Sequence, residues 1–177
     1  MTPRVELVQV DAAVLRALAD GDLAAANARA PVPLTPYLAG PECRGVWGVR
    51  AVQVVEDPPS AAWVTRIVWD PEREIAVGRA GYHGPVDATG MVEVGYSIDP
   101  AYRRRGYARA ALLVLLERAA RESGVTTVRA SISPANVASR DLVLSHGFTE
   151  VGTQWDDEDG LEIVYEVPVG DRPASPA

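Results

Sequence analysis

Residues 98–111, Ile98-Asp99-Pro100-Ala101-Tyr102-Arg103-Arg104-Arg105-Gly106-Tyr107-Ala108-Arg109-Ala110-Ala111, join a strand-like run to a strongly helical one. A helix start leaves backbone N–H groups without intrahelical partners, and the aligned peptide dipoles make that end positive, so this junction suits an anion such as a phosphate. Gly106 lets the backbone approach closely, and Ala108 keeps the first turn uncluttered.

Upstream, Met91 to Ile98 alternates, with Val92, Val94, Tyr96 and Ile98 on one face and Met91, Glu93, Gly95 and Ser97 on the other, which predicts a strand. Downstream, Gly106 to Ser123 carries Ala108, Ala111, Leu112, Leu115, Leu116 and Ala119 at helical spacing, with Glu117 and Arg121 four apart and Gly124 as a stop. Thr126 to Ile132 reads as a further strand, Asn136 to Ser145 as a short helix ended by Gly147, and Phe148 to Trp155 with Leu161 to Val167 as a hairpin.

Before the junction, Ala62 to Trp69 and Ile75 to Tyr82 are β-rich runs, and Asp70-Pro71-Glu72-Arg73 between them has the residues of a type I turn. Asp11 can cap a helix over Val14, Leu15 and Leu18, Asp22 to Ala30 can form a second, and Glu42 to Val55 a third around Trp47 and Val54, after the prolines at 31, 33, 36 and 41. Helices, three strands, helix, strand, helix and two strands predict a mixed α/β fold: a mostly antiparallel central sheet of about six to seven strands flanked by helices. One domain over residues 1–170 is expected, with a loose tail at 171–177.

The chain has 177 residues, 47% hydrophobic and 23% charged, the balance of a soluble globular protein. A net charge of −7 argues against a general nucleic-acid binder. All 17 basic residues are Arg, which removes lysine-amine chemistry from consideration. Cys43 is the single cysteine, so an intrachain disulfide and a Cys-rich metal site are excluded, and His83 and His146 lack the company a metal needs. With neither a leader-like N-terminus nor an apolar run of membrane-spanning length, an unexported, cytoplasmic protein is expected.

Val92-Glu93-Val94-Gly95-Tyr96-Ser97-Ile98-Asp99-Pro100 followed by Arg103-Arg104-Arg105-Gly106-Tyr107-Ala108 resembles the acetyl-CoA motif of the GNAT N-acetyltransferases. Arg103, Gly106 and Ala108 match the family pattern Gln/Arg-x-x-Gly-x-Gly/Ala. Ser133 to Ser139, Leu142 and His146-Gly147-Phe148 resemble the second cofactor helix and the strand after it. The resemblance covers roughly Trp63 to Val167 and is most similar to the RimJ/RimL-type branch.

The resemblance implies that backbone N–H groups of Arg104, Arg105, Gly106, Tyr107, Ala108 and Arg109 cradle the cofactor pyrophosphate. It further implies that Tyr96, Ser97 and Ile98 pair with the pantetheine arm as with an added strand, and that Asn136 hydrogen-bonds the cofactor, the alternative being a plain helix cap. The arginine side chains at 103, 104 and 105 either touch the 3′-phosphate or face solvent. For acetyl transfer, Glu93 is the candidate base, directly or through a water. A backbone N–H near Ser97 or Ile98 is the candidate oxyanion donor.

Many relatives place an acidic tyrosine on the second cofactor helix, where this chain has Leu142-Val143-Leu144. Ser139 is the candidate that orients or protonates the thiol, or it is only a cap. The strand Val128 to Ile132 lacks the glutamate that some peptide N-terminal acetyltransferases carry there. Trp47, Trp63, Trp69 and Trp155 either line a pocket or belong to the core, and the acidic run 156–160 either attracts an amine or is a solvated turn.

The implied function is acetyl-CoA-dependent N-acetylation of a primary amine, on a small molecule or a protein N-terminus, by direct attack in a ternary complex. The alternatives are a non-catalytic acyl-CoA-binding or sensory module and a tryptophan-anchored interaction protein. No metal, membrane or nucleic-acid partner is expected, and a homodimer is left open.

Overall fold

The computed structural model describes residues 2–157 and 160–170. The predicted tail at 171–177, and residues 158 and 159 of the acidic run, lie outside them. Seven strands form an open, mostly antiparallel sheet in the order β1-β2-β3-β4-β5-β7-β6, flanked by helices. These are β1 (Glu6–Val8), β2 (Arg66–Asp70), β3 (Ile75–Tyr82), β4 (Met91–Ile98), β5 (Thr127–Ile132), β6 (Thr149–Asp156) and β7 (Gly160–Pro168). The helices are α1 (Ala12–Ala19), α2 (Leu23–Asn27), α3 (Pro41–Glu56), α4 (Tyr107–Arg121) and α5 (Val137–Leu144). Only the β4–β5 pairing is parallel among the registers of the named strands.

The chain divides into two compact units, one of Met1–Pro85 with Tyr96–Leu115 and one of Val86–Gly95 with Leu116–Ala177. In the first, side chains cap the starts of α1 and α2: Asp11 Oδ1 accepts from Val14 N at 2.9 Å and Asp22 Oδ1 from Ala25 N at 2.9 Å. Each satisfies one of the N–H groups a helix start leaves unpaired. The apolar stripes of α1 and α3 close on β2 and β3, burying Val14, Leu15, Leu18, Cys43, Trp47, Ile67 and Ala76 in one core. Trp47 is fully buried and its indole N–H donates to Leu38 O at 2.8 Å, so a large ring enters the core with its polar atom satisfied.

Two elements differ from expectation. β1 is a three-residue edge strand, Glu6–Val8, on β2. The strand expected from Ala62 begins at Arg66 instead, because Ala62 closes a 3-10 turn over Pro58–Ala62 that Pro58-Pro59 start after α3. β2 and β3 pair as a hairpin with a shift in register at Val68/Trp69.

In the second unit, β5 pairs antiparallel with β7 from Thr127↔Pro168 to Ile132↔Ile163, and β7 with β6. β4 joins β5 in parallel over Met91–Glu93 and Thr127–Arg129. Val92 and Val94 are buried while Met91, Glu93 and Gly95 are half-buried, the alternation expected from the sequence. Among the described residues no helix is long and apolar enough to cross a membrane.

Candidate active site

In the first unit, β4 runs into α4 through a turn that its own groups hold. Asp99 Oδ1 accepts from Ala101 N at 2.9 Å, Asp99 N donates to Val77 O on β3 at 2.9 Å, and Arg103 Nε donates to Ile98 O at 2.9 Å. Arg103 therefore straps the turn to the end of its strand. Arg104 and Gly106 both have positive φ, 62° and 86°. At Gly106 a Cβ would also lie 3.0 Å from Pro3 Cδ, so this position suits glycine twice over.

The first α4 bond to leave the turn runs from Ala110 N to Gly106 O at 2.9 Å. The N–H groups of Tyr107, Ala108 and Arg109 precede it and point out of the helix start, where an anion is stabilised. Arg103, Arg104, Arg105 and Arg109 are exposed, and the Arg105 guanidinium sits 5.5 Å from the Tyr102 ring centroid. The residues present thus fit a phosphate-bearing ligand.

Tyr107 faces inward. Its hydroxyl donates to Asp70 Oδ2 at 2.6 Å, and the Tyr102 ring meets its edge at 6.4 Å between centroids. Asp70 also receives Glu72 N, Arg73 N and the Arg73 guanidinium. Burial alone would push the Asp70 carboxyl upward, but the Tyr107 hydroxyl, the Arg73 and Glu72 amides and the Arg73 guanidinium together hold it below its ordinary value. Burial and then the Asp70 contact raise the Tyr107 phenol.

The end of β4 carries a second polar contact. Ser97 Oγ and Tyr37 Oη share a 2.7 Å hydrogen bond between β4 and the loop before α3. Burial pushes the Tyr37 phenol up, against the Ser97 hydrogen bond. Cys43 and Arg79 act on the same phenol, and Arg79 Nε is buried without a partner among the described residues. β3 passes close by, since a Cβ on Gly78 would lie 2.3 Å from Ser97 O.

The second unit holds the other expected residues. Glu93 on β4 is in register with Arg129 on β5, which is in register with Glu166 on β7. Arg129 donates to Glu166 Oε1 from Nε at 2.9 Å and Nη2 at 2.6 Å. Asn136 caps α5, its Oδ1 accepting from Ser139 N at 3.2 Å. Ser139 is half-buried in the first turn. His146 Nδ1 lies 2.9 Å from Leu142 O, the helix-end role its position suggests.

Trp47 and Trp69 are core, whereas Trp155 is 76% exposed, so the tryptophans do not act as a set. No group of three metal-ligating side chains occurs among the described residues. Sequence reading placed Asp70 in a turn but had no means of linking Tyr37 to Ser97, Asp70 to Tyr107 or Arg79 to Tyr37, because these partners are far apart in the chain.

The fourth strand of an α/β sheet leads here through a strapped glycine turn into an open helix start, a geometry that suits a phosphate-bearing ligand. A model of the GNAT acetyltransferase domain matches residues 8–149, and the chain belongs to that family. No curated protein sequence is significantly similar to it.

Solved structures share the fold. The ribosomal-protein-S5-alanine acetyltransferase of Vibrio fischeri matches with a TM-score of 0.63 at 20% identity, over 96% of this chain and 94% of that one. RimL, a ribosomal L7/L12 α-N-protein acetyltransferase solved with coenzyme A, gives 0.64 at 15%, over 94% of each. A spermidine N-acetyltransferase chimera from Vibrio cholerae SpeG and hSSAT gives 0.61 at 14%, over 93% and 95%. The first two are ribosomal-protein acetyltransferases, the kind the RimJ/RimL-type resemblance anticipates.

Proposed function

We propose that the chain moves an acetyl group from acetyl-CoA to a primary amine, on a small molecule or a protein N-terminus, by direct attack in a ternary complex. The observation that carries this reading is the Gly106 turn, where three helix-start N–H groups and a cluster of exposed arginines come between β4 and the body of α4. Acetyl-CoA supplies an activated thioester and a thiolate leaving group.

The chain's residues then divide the work. Amides from Arg104 to Arg109 take the pyrophosphate, with the Arg104 and Arg105 side chains available to the phosphates and Arg103 holding the turn through Ile98 O. The backbone of Tyr96, Ser97 and Ile98 pairs with the pantetheine amides, and an N–H near Ser97 or Ile98 takes the oxyanion. Asn136 spends its Oδ1 on the helix cap, which leaves its amide nitrogen to donate to the cofactor.

As the amine nitrogen bonds to the acetyl carbon and the C–S bond breaks, Glu93 takes a proton from the amine, directly or through a water, and the departing thiolate, oriented by the Ser139 hydroxyl, takes its proton from solvent. Neighbours in the fold are named for ribosomal-protein and spermidine acetylation, so peptide N-termini and polyamines are the first acceptors to try.

The test is acetyl-CoA with a panel of both, followed by free-thiol release and mass spectrometry of the amines. Amine-dependent thiol release with matching acetylated product is expected. Absence of acetyl-CoA binding by calorimetry at millimolar ligand would overturn the reading.

A further inference from the structure

Asp70 lies outside every motif that points to acetyl transfer, yet its side chain is only 1% exposed and its two oxygens together meet four donors. Oδ1 accepts from the Glu72 and Arg73 amides at 2.9 and 3.0 Å, as the turn between β2 and β3 requires. Those two bonds account for the aspartate as a turn residue. They do not account for Oδ2, which receives the Arg73 guanidinium at 3.0 Å and the Tyr107 hydroxyl at 2.6 Å, from 37 residues away.

Tyr107 is the first residue of α4 and follows Gly106 directly, so its backbone N–H is one of the groups that face an anion at the helix start. Tyr107 is 3% exposed. If the site needed only an apolar plug, phenylalanine would fill it without placing a carboxylate out of water. A buried charge is costly unless fully bonded, and removing one partner leaves the remainder unpaired. The pair thus ties the first residue of α4 to the β2–β3 turn.

Resting on the acetyl-CoA reading above, we infer that Asp70 is a positioning residue for the phosphate turn, acting through Tyr107 to aim the first-turn N–H groups of α4 at the cofactor diphosphate. Tyr102 reinforces the setting, packing edge-on to Tyr107 on one side and under Arg105 on the other.

The test measures affinity of the full chain for acetyl-CoA and its two halves, the 3′-phospho-ADP part and S-acetylpantetheine, in wild type, Tyr107→Phe, Asp70→Asn and the double variant. Melting curves identify the temperatures at which each remains folded. Tyr107→Phe and Asp70→Asn should each weaken acetyl-CoA and 3′-phospho-ADP by about tenfold, the scale of one hydrogen bond to a charged group. S-acetylpantetheine binding should stay unchanged, and the double variant should be no weaker than Asp70→Asn, as for two residues acting through one contact.

A merely structural role would lower melting temperatures while leaving the ratio of the two halves as in wild type, and that result overturns the inference. So does wild-type affinity in folded Tyr107→Phe. Should that variant fail to fold, the same comparison in Asp70→Asn decides. Lack of acetyl-CoA binding by wild type defeats the functional reading and the inference with it, whereas wild-type binding with unaltered variants defeats the inference alone.

Discussion

Tyr37 and Ser97 meet hydroxyl to hydroxyl at 2.7 Å, tying the loop before α3 to the strand end proposed to hold the acetyl-bearing arm. The chain lacks a tyrosine at Leu142 to Leu144, and this phenol approaches β4 from a different element. Tyr37→Phe keeps the ring and removes the bond, so it should cost about 1 kcal/mol of stability by urea denaturation. It should lower kcat/KM for the amine roughly tenfold through misplaced reacting groups. An unchanged kcat/KM would make Tyr37 a packing residue only.

Glu93 stands on β4 beside Arg129, itself bonded to Glu166. Glu93→Gln preserves shape and removes the carboxylate proposed as base, so acetyl transfer should drop by about 100-fold or more at neutral pH. An undiminished rate in Glu93→Gln would mean that the proton leaves by another route.

The strand, glycine turn and helix around residues 91–121 were legible because their signals are local: a period of two in Met91 to Ile98, a period near 3.6 after Tyr107, and a glycine between them. The cap at Asp11 was legible for the same reason, whereas the cap at Asn136 stood only as the alternative to a cofactor contact. β1 was not, since three residues carry no period and its pairing with β2 spans about sixty positions. The side chains around the turn escaped for a related reason. A sequence displays Arg103 as a free cation, and only the fold shows its Nε spent on Ile98 O. Nothing local to Asp70 announces Tyr107.

The same pair sets the response to acid. The folded state holds the Asp70 carboxyl below its ordinary value of about 3.9, so its contribution is fully present above that pH and is lost as pH falls through the lower folded value. Asp70→Asn should therefore destabilise by about 2 kcal/mol between pH 5 and 7, with the gap to wild type closing below about pH 4. The Tyr107 phenol is raised, so its contribution persists below about pH 10 and fades as pH rises through the folded value. Urea midpoints across pH 3 to 7 check the acid side, and a gap that stays constant to pH 3 would contradict it.

Gly78 on β3 lies close against the end of β4. A Cβ there would meet Ser97 O at 2.3 Å and Ile98 Cα and Cδ1 at 3.0 Å. Two of those atoms are backbone, so no side-chain rotation relieves the clash, and either strand must move. Gly78→Ala should cost about 2 kcal/mol, within the range for overpacking a tight interior. Because the displaced atoms belong to Ser97 and Ile98, S-acetylpantetheine affinity should fall as well. Gly152 in β6 offers the control, since a Cβ there meets nothing within 4 Å and alanine should change stability by no more than about 0.5 kcal/mol. Calorimetry and urea denaturation on both variants separate the cases. Wild-type stability and affinity in Gly78→Ala would show that the β3–β4 approach yields without disturbing the strand end.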